Sequence, residues 1–339
     1  MKSKVLKSGK LNVRILNELL QRYCKGHERL LVGPRIGEDA AAIDMGERVL
    51  IVATDPITFT TNEIGYYSVM VNANDVATTG AEPRWYSVTI LLPGTGGTRG
   101  LVDSIFQQTH KACEELGVSL IGGHTEITHG LDRPILVGQM IGEVQKEALI
   151  TTGGAKPGDL ILLSKGICIE GTSIIARERE GDLCSRGIPV DLVERAGRFL
   201  FDPGISVVEE ARLAFQTGRV HSMHDVTEGG LADGLHELSI AAGVEIEVEK
   251  DRIPIYEESR VLCEAFGLNP LGVIASGALL ITAPPGETEK ILDRAHQHGV
   301  AMTMIGRVQA AGPPSVTMVT STGYEQVPYF DRDEVARIF

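Results

Sequence analysis

The sequence predicts an α/β (α+β) fold of two domains, and three observations support that prediction. The chain has 339 residues, more than a single domain usually contains. Patterns typical of strands alternate with patterns typical of helices in both halves of the chain. Residues 151–159, between the halves, are polar and rich in glycine, as linkers are. We therefore predict an N-terminal domain at residues 1–152 and a C-terminal domain at residues 153–339.

Hydrophobic periodicity defines the elements of the first half. Apolar residues at helical spacing predict a helix at 11–24, and the apolar run at 49–53 predicts a buried strand that stops at Pro56. Residues 66–80 have the pattern of a helix whose polar arc carries Asn72 and Asp75. The remaining patterns predict a strand at 85–92, a helix at 101–116 closed by Gly117, a short strand at 118–121 and a strand at 135–144.

The second half repeats this alternation, beginning with a strand at 160–164. Further strands are predicted near residues 245–249, 278–283 and 301–308. Helical patterns cover about 172–180, 204–217, 229–242, 255–266 and 287–298. Each half therefore has enough strands and helices to form a layered domain of its own.

Composition excludes two classes of function. The formal net charge of −13 argues against nucleic-acid binding, because phosphate backbones attract stripes of Lys and Arg. No apolar run reaches the roughly eighteen residues that a membrane-spanning helix needs. The five cysteines are widely spaced, without a C-x-x-C pair, and no signal peptide is evident. We therefore expect a protein of the reducing cytoplasm.

Carboxylates are concentrated in three short segments of the first half. Glu38 and Asp39 follow a glycine, Asp55 follows the predicted strand at 49–53, and Asn72 and Asp75 share the polar arc of the next helix. Clustered carboxylates repel one another unless a cation lies between them, and Mg²⁺ prefers oxygen ligands. We predict that Asp39, Asp55 and Asp75 bind Mg²⁺ with a nucleotide, and that Glu38 and Asn72 support them. An exposed acidic turn, a helix cap and a solvated helix face are the structural alternatives.

A glycine-rich motif follows the predicted strand at 118–121. It contains Gly122 and Gly123, then His124, and Glu126 two residues later. Glycines at the end of a strand can form an anion-binding concavity, and a histidine there can act as an acid or base. We predict that Gly122 and Gly123 bind the nucleotide and that His124 and Glu126, with Asp75, are catalytic. The alternative is a loop histidine whose hydrogen bonds are satisfied locally.

A second glycine motif precedes the helix predicted at 229–242. Asp225 comes before Gly229 and Gly230 at a helix N-terminus, where a phosphate can bind, although Asp225 could instead cap that helix. His221 and His224 have metal-like spacing but no second pair of ligands, which argues against zinc. The chain also has no Walker A motif and no G-x-G-x-x-G spacing, so ATP would require another kind of site.

Taken together, these segments resemble the AIR synthase (PurM-like) superfamily, and within it the hydrogenase expression/formation family HypE. The resemblance covers nearly the whole chain in the correct order. It rests on Gly37-Glu38-Asp39-Ala40, Thr54-Asp55-Pro56, Asn72-Ala73-Asn74-Asp75, Gly122-Gly123-His124-Thr125-Glu126 and Lys156-Pro157-Gly158-Asp159. The resemblance implies that ATP lies in a cleft with Mg²⁺ on the acidic loops. It also implies a homodimer formed through paired N-terminal sheets and a partner among maturation proteins.

The resemblance also implies an activity, with three alternatives. The main expectation is an ATP-hydrolysing dehydratase or ligase that uses Mg-ATP to activate an amide-type oxygen, as in hydrogenase maturation. One alternative is a small-molecule kinase resembling thiamine-monophosphate kinase, although that family has Asp-Thr where this chain has His124-Thr125. The others are an AIR synthase-like ligase and a non-catalytic partner that only binds nucleotide.

Two segments depart from the HypE pattern. That family ends in Pro-Arg-Ile-Cys, whose cysteine receives a carbamoyl group, whereas this chain ends in Arg337-Ile338-Phe339. The segment from His224 to Gly230 resembles the purine-synthesis branch instead. We therefore predict that this chain does not carry a carbamoyl group on its own C-terminus.

Overall fold

The computed structural model describes residues 9–339 and contains two mixed sheets, one in each half of the chain. The strands of the first half form a six-stranded sheet in the order β1-β2-β3-β6-β4-β5, in which the β4–β5 pair is parallel and the other pairs are antiparallel. The elements of this half are, in chain order, α1 (Val13–Tyr23), β1 (Leu30–Val32), β2 (Ala41–Asp44), β3 (Arg48–Ile57), α2 (Ile64–Ala77), β4 (Glu82–Pro93), α3 (Arg99–Leu116), β5 (Ser119–Thr128) and β6 (Ile135–Gln145).

The second half forms a seven-stranded sheet in the order β13-β12-β9-β11-β7-β10-β8. Its β12–β9 pair is parallel, and the other pairs are antiparallel. The elements here are β7 (Leu160–Ser164), α4 (Ile169–Glu178), α5 (Glu180–Ser185), α6 (Val190–Gly197), α7 (Val208–Thr217), β8 (Ser222–Val226), α8 (Gly230–Ala242), β9 (Val244–Glu249), α9 (Glu257–Phe266), β10 (Ala278–Ala283), α10 (Pro285–Gln297), β11 (Met302–Ala311), β12 (Ser315–Thr320) and β13 (Gly323–Gln326).

This architecture confirms the predicted α+β fold with a sheet in each half. The boundary between residues 152 and 153 stays a prediction, although β6 ends at Gln145 and β7 begins at Leu160, on either side of it. Within the described residues, no helix is both long and apolar enough to cross a bilayer.

Helix α2 lies at the centre of the molecule. Every residue from Ile64 to Ala77 is buried, which excludes the alternative of a solvated helix face for Asn72 and Asp75. The helix packs on β3, β6 and α3 in its own half, and on α7 and β8 in the other half. Its polar residues therefore have protein partners on each side, and Asp75 is buried at the junction of the two halves.

The strand predicted to stop at Pro56 instead continues to Ile57, with Pro56 paired to Val137 of β6. On its other side β3 pairs with β2 only as far as Val52, so Pro56 lies where that edge has no strand neighbour. A missing N–H is tolerated at such an edge position.

The glycine motif predicted as a loop after a short strand lies inside β5. This strand runs unbroken from Ser119 to Thr128 at the outer edge of the first sheet. A side chain on Gly123 would collide with the backbone carbonyl of Val88 on β4, so glycine is required for the two strands to pair. Gly123 thus serves close strand packing, whereas a side chain on Gly122 would meet no atom within 4 Å, and both glycines lie within a strand instead of the expected loop.

Candidate functional site

A cleft of about 990 Å³ lies where the two halves meet. Residues from both halves line it, together with the segment before and within α1 and part of the C-terminal tail. The lining includes Lys10, Leu11, Arg35, Glu38, Asp39, Asp55, Asp75, His224, Asp225, Thr227, Glu228, Gly229, Asp233, His236, Glu237 and residues 329–333. The sequence motifs from four separate segments thus converge on one cavity.

The floor of the cleft is a cluster of four carboxyl groups, Asp39, Asp55, Asp75 and Asp225. Asp75 and Asp225 are 5% and 2% exposed. Asp75 lies close enough to Asp55 and Asp225 for the three carboxyl groups to disfavour one another's ionised form. Burial, reinforced by Asp39, raises the pKa of Asp55 to about 6, although Lys10 opposes this shift. Burial and the neighbouring carboxylates raise the pKa of Asp75 and Asp225 well above the usual range.

Two cationic side chains compensate part of this negative charge. The Nζ atom of Lys10 lies 3.5 Å from Glu237 Oε1, and its backbone N–H donates to Glu228. Burial lowers the pKa of Lys10, but Glu237 and Glu228 outweigh that effect and raise it overall. His224 lies between Asp39, at 2.7 Å, and Glu237, at 3.2 Å. These carboxylates overcome the effect of burial and hold the pKa of His224 well above its ordinary value.

Sequence reasoning missed these two groups as site residues. From the sequence, His224 is named only in a metal-like pair and in a family motif, and no role is assigned to Lys10. Glu237 was also missed as a site residue. Burial raises the pKa of this carboxyl group, but Lys10 and His224 outweigh that effect and lower the pKa to about 2. The missed signal was a lysine near the start of the chain with no nearby carboxylate in sequence to pair with it.

The cluster fits a cation that arrives with phosphate better than a resident metal. Within residues 9–339, no three His, Cys, Asp or Glu side chains form a ready-made metal site. Among those residues, the buried Oδ2 atoms of Asp39 and Asp225 have no hydrogen-bond partner. Mg²⁺ typically keeps several waters and binds one or two carboxylates together with substrate phosphates. Asp39, Asp55 and Asp75 lie together at this cluster, and their role as metal ligands stays a prediction.

Glu38 and Asn72 support the cluster indirectly. The Glu38 carboxylate accepts hydrogen bonds from Thr152 N and Gly153 N, each at 3.1 Å, and so anchors the segment between the halves. The side-chain oxygen of Asn72 accepts from the backbone N–H of Asp55 at 2.8 Å, and its amide donates to the carbonyl of Ser68. Asn72 therefore holds the backbone of Asp55 from helix α2.

The turn before α8 already holds a carboxylate. Gly229 N–H donates to Asp333 Oδ2 of the C-terminal tail at 2.7 Å. Gly229 has a φ of 89°, and Gly230 has a φ of 63° with no room for a side chain beside the carbonyls of Leu271 and Val273. At the helix N-terminus predicted to bind phosphate, the tail thus occupies one backbone donor, while Asp225 lies in the buried strand β8 beside it.

The structure does not bring Gly122, Gly123, His124 and Glu126 to the cleft of the same chain. Asp55, Gly138, Val88 and Gly123 lie in register across β3, β6, β4 and β5. Three strand spacings separate β3 from β5, which corresponds to about 14 Å. The side chains of His124 and Glu126 are 66% and 51% exposed and lie 3.4 Å from each other.

The C-terminal tail packs along the second half. Tyr329 stacks on His236 with ring centroids 3.7 Å apart, at the rim of the cleft. Asp333 is 1% exposed, and Arg337 donates to the carbonyl of Gly267 after α9. The ring of Phe339 lies 4.9 Å from the guanidinium of Arg179. The chain end is therefore fixed against the protein and is not among the residues that line the cleft.

Comparison with known proteins agrees with this architecture. Residues 37–144 match the N-terminal domain of AIR synthase related proteins, and residues 156–319 match the C-terminal domain. A putative hydrogenase expression/formation protein of Methanocaldococcus jannaschii is 27% identical over 266 residues, covering 77% of this chain and 76% of that protein. Carbamoyl dehydratase HypE of Azotobacter vinelandii is 30% identical over 310 residues, 88% of this chain and 87% of its own. Thiamine-monophosphate kinase of Aquifex aeolicus is 24% identical over 292 residues, 81% of this chain and 86% of its own.

Solved structures share the fold. A HypE–HypF complex matches with a TM-score of 0.75 and 22% identity over 94% of this chain and all of that one. HypE in complex with ATP matches with a TM-score of 0.67 and 22% identity, covering 95% of this chain and 93% of that one. With both domain families matched in order and 30% identity to a HypE protein over most of both chains, this chain belongs to the AIR synthase-related family, in its HypE branch.

Proposed function

We propose that the chain binds Mg-ATP in the acidic cleft and uses it to activate an amide-type oxygen, as a HypE-like enzyme. The observation that carries this proposal is the buried cluster of Asp39, Asp55, Asp75 and Asp225, with two orphaned oxygens facing a nucleotide-sized cavity. Carboxyl groups whose mutual repulsion raises their pKa are stabilised as anions when a divalent cation lies between them. The relatives named carbamoyl dehydratase and the HypE structure with ATP support the same choice.

The chemistry assigns a task to each group around the cleft. Asp39, Asp55 and Asp75 would hold Mg²⁺, which supplies charge neutralisation at the transferring phosphoryl group. Asp225 adds a carboxylate from the second half, and the cationic Lys10 and His224 are placed to stabilise charge on phosphate oxygens. An amide oxygen that accepts the phosphoryl group becomes part of a phosphate leaving group, and its departure completes the dehydration.

We further propose that the substrate amide belongs to a separate molecule. No cysteine is among the described residues that line the cleft, and the ring of Phe339 is held against Arg179 away from it. A carbamoyl group would therefore have to arrive on a partner, and the solved HypE–HypF complex makes a maturation protein a reasonable partner class. We expect this to take place in the cytoplasm, with the chain divided into domains after residue 152.

We propose that two copies pair through the exposed β5 edge of the N-terminal sheet. Leu120, Ile121 and Ile127 are exposed there, and an unpaired strand edge favours association. Three strand spacings separate β5 from β3 within one chain, and pairing through β5 places the second copy's β3 four spacings away along a flat sheet. His124 and Glu126 would therefore act as acid and base only if the paired sheets curve so that β5 of one copy faces the cleft of the other. Gly122 and Gly123 would contribute to nucleotide binding from the same strand.

Phosphate release by the purified protein tests the proposal. The assay supplies Mg-ATP with and without a carbamoylated protein or peptide, and phosphorus NMR identifies the products. ADP and free phosphate released with dehydration of the carbamoyl group support the dehydratase. A phosphorylated small molecule would indicate the kinase alternative, phosphate release coupled to bond formation a ligase, and binding without turnover a nucleotide-binding partner. Absence of any Mg-ATP binding would contradict the proposal.

A further inference from the structure

Asn74 connects the two halves of the molecule one residue before Asp75. Its side-chain amide donates to the carbonyl of Ile205 at 2.8 Å, and its oxygen accepts from the N–H of Val207, also at 2.8 Å. Asn74 is fully buried. The side-chain amide thus binds the backbone groups on either side of Ser206, the carbonyl of Ile205 and the N–H of Val207. A neighbouring β-strand would offer the same pair of one donor and one acceptor.

Lys165 also binds the segment from Gly204 to Val207, whose backbone Asn74 contacts. The Lys165 ammonium donates to the carbonyls of Gly204 at 3.0 Å and Ser206 at 2.6 Å, and it pairs with Glu210 at 2.8 Å. Both side chains of that ion pair are 8% exposed. Lys165 directly follows β7, and β7 pairs with β10, which pairs with β8. A continuous set of hydrogen bonds therefore runs from Asn74 to the strand that carries Asp225.

We infer that Asn74 is a positioning residue that docks the second half on α2, so that Asp225 meets Asp75 at the separation the metal–nucleotide complex requires. This inference rests on the proposed Mg-ATP site. Only a side chain with both a donor and an acceptor satisfies Ile205 and Val207 together. Truncation leaves two buried backbone groups without partners, and the domain junction would relax at the carboxylate cluster.

The test compares nucleotide binding by the full-length chain with and without magnesium. Asn74→Ala removes both bonds, and Asn74→Ser retains a neutral hydroxyl in case the alanine variant does not fold. Thr172→Val is the matched control, because it removes a buried 2.7 Å hydrogen bond between Thr172 and Ser259 inside the second half. Calorimetry gives ATP affinity in excess Mg²⁺ and in EDTA, and thermal unfolding gives each variant's midpoint.

We expect the Asn74 variants to weaken Mg-ATP binding by about tenfold or more while changing metal-free ATP binding by less than about twofold. Thr172→Val should keep the ratio of the two affinities, even with a similar drop in midpoint. Equal ratios in Asn74→Ser, Thr172→Val and the unmodified chain would overturn the inference. If the unmodified chain shows no magnesium-dependent binding, the proposed function fails first and the role of Asn74 falls with it.

Discussion

The acidic cleft and the β5 edge contain the two motifs that the sequence marks most strongly, and the fold treats them in opposite ways. Asp39, Asp75 and Asp225 come from segments up to 186 residues apart, yet all three line one buried cavity. His124 and Glu126 are two residues apart and remain on an exposed outer strand. Proximity in sequence therefore gave no guide to which groups share a site.

Strand order explains this difference. Asp55 on β3 and Asp75 on α2 lie beside the junction with the second half, because α2 packs on β3 and β6 in its own half and contacts α7 and β8 in the other half. The chain reaches β5 through α3 and adds it parallel to β4, on the far side of the sheet from β3. The place of a strand in the order of a sheet depends on which sheet edge is free when that strand pairs. A local sequence motif does not determine that place. A catalytic role for β5 thus depends on a second copy, whereas the cleft is assembled within one chain.

The largest expected effect is at the cleft. Asp75→Asn should weaken Mg-ATP binding by about 1.5–3 kcal/mol, because it removes a charged ligand while keeping its size. The same change should increase the free energy of unfolding without metal, since it relieves repulsion among buried carboxyl groups. Calorimetry and denaturant unfolding measure the two effects, and Asp103→Asn on the exposed face of α3 is the control. Unchanged affinity in both Asp39→Asn and Asp75→Asn would rule out the metal–nucleotide assignment.

The next prediction tests whether β5 works across a dimer. If His124 acts on nucleotide held by a second copy, His124→Ala and Asp75→Asn should each be inactive alone. Mixed after subunit exchange, they should recover up to about a quarter of normal turnover, because half of the dimers are mixed and each has one intact site. His110→Ala, which changes an exposed histidine on α3, is the control.

Two results would break this part of the comparison. Normal activity of His124→Ala would remove β5 from the mechanism and leave only its role at the sheet edge. A stable monomer with full turnover, seen by sedimentation, would show that the cleft is complete within one chain.

The third prediction concerns pH. The pKa of Asp55 is about 6 in the folded chain and near 3.8 when unfolded, and the pKa of Asp75 and Asp225 is also raised. The folded state therefore binds more protons over this range, so the metal-free chain should lose roughly 1–2 kcal/mol of stability as pH rises from 4 to 6, and further stability above 6. Glu237 has the opposite sign: its pKa is about 2 in the folded chain against an ordinary 4.5, so its contribution changes mostly below pH 4.5 and offsets part of the loss only between pH 4 and 5.

Thermal unfolding in EDTA, with and without added Mg-ATP, measures this effect. The stabilisation by Mg-ATP should be larger at pH 8 than at pH 5, since the bound cation offsets the charge that deprotonation exposes. Asp75→Asn should flatten the pH dependence. A metal-free chain that becomes more stable between pH 4 and 6 would contradict the described cluster.

The sequence predicts local structure well and partnerships poorly, as α2 illustrates. Its helical period is clear, and the predicted range 66–80 overlaps the observed Ile64–Ala77. The period does not show what covers the polar arc: Asn72 binds the backbone of Asp55 in its own half, and Asn74 binds the backbone of Ile205 in the second half. Likewise the sequence places Asp225 before a helix without predicting the strand β8 that carries it, because five buried residues form a strand too short for a periodic signal.

The smallest expected effects are at the C-terminal tail, which borders the cleft but ends away from it. Phe339→Ala should cost no more than about 1 kcal/mol of stability, the scale of an exposed cation–π contact with Arg179, and should leave Mg-ATP affinity unchanged.

The same docking underlies the prediction that the chain is not carbamoylated on itself. Transfer in cis needs a nucleophilic sulfur that can enter the cleft, whereas no cysteine is among the described residues that line it and Asp333 anchors the tail at Gly229. Mass spectrometry after incubation with ATP and a carbamoyl donor system should detect no adduct, and a Cys24→Ser, Cys184→Ser variant removes the two exposed thiols as a control. An adduct on any cysteine that ATP converts to a lighter species would show that the chain supplies its own substrate after all. ATP turnover without an adduct, dependent on an added carbamoylated partner, would place the sulfur on that partner.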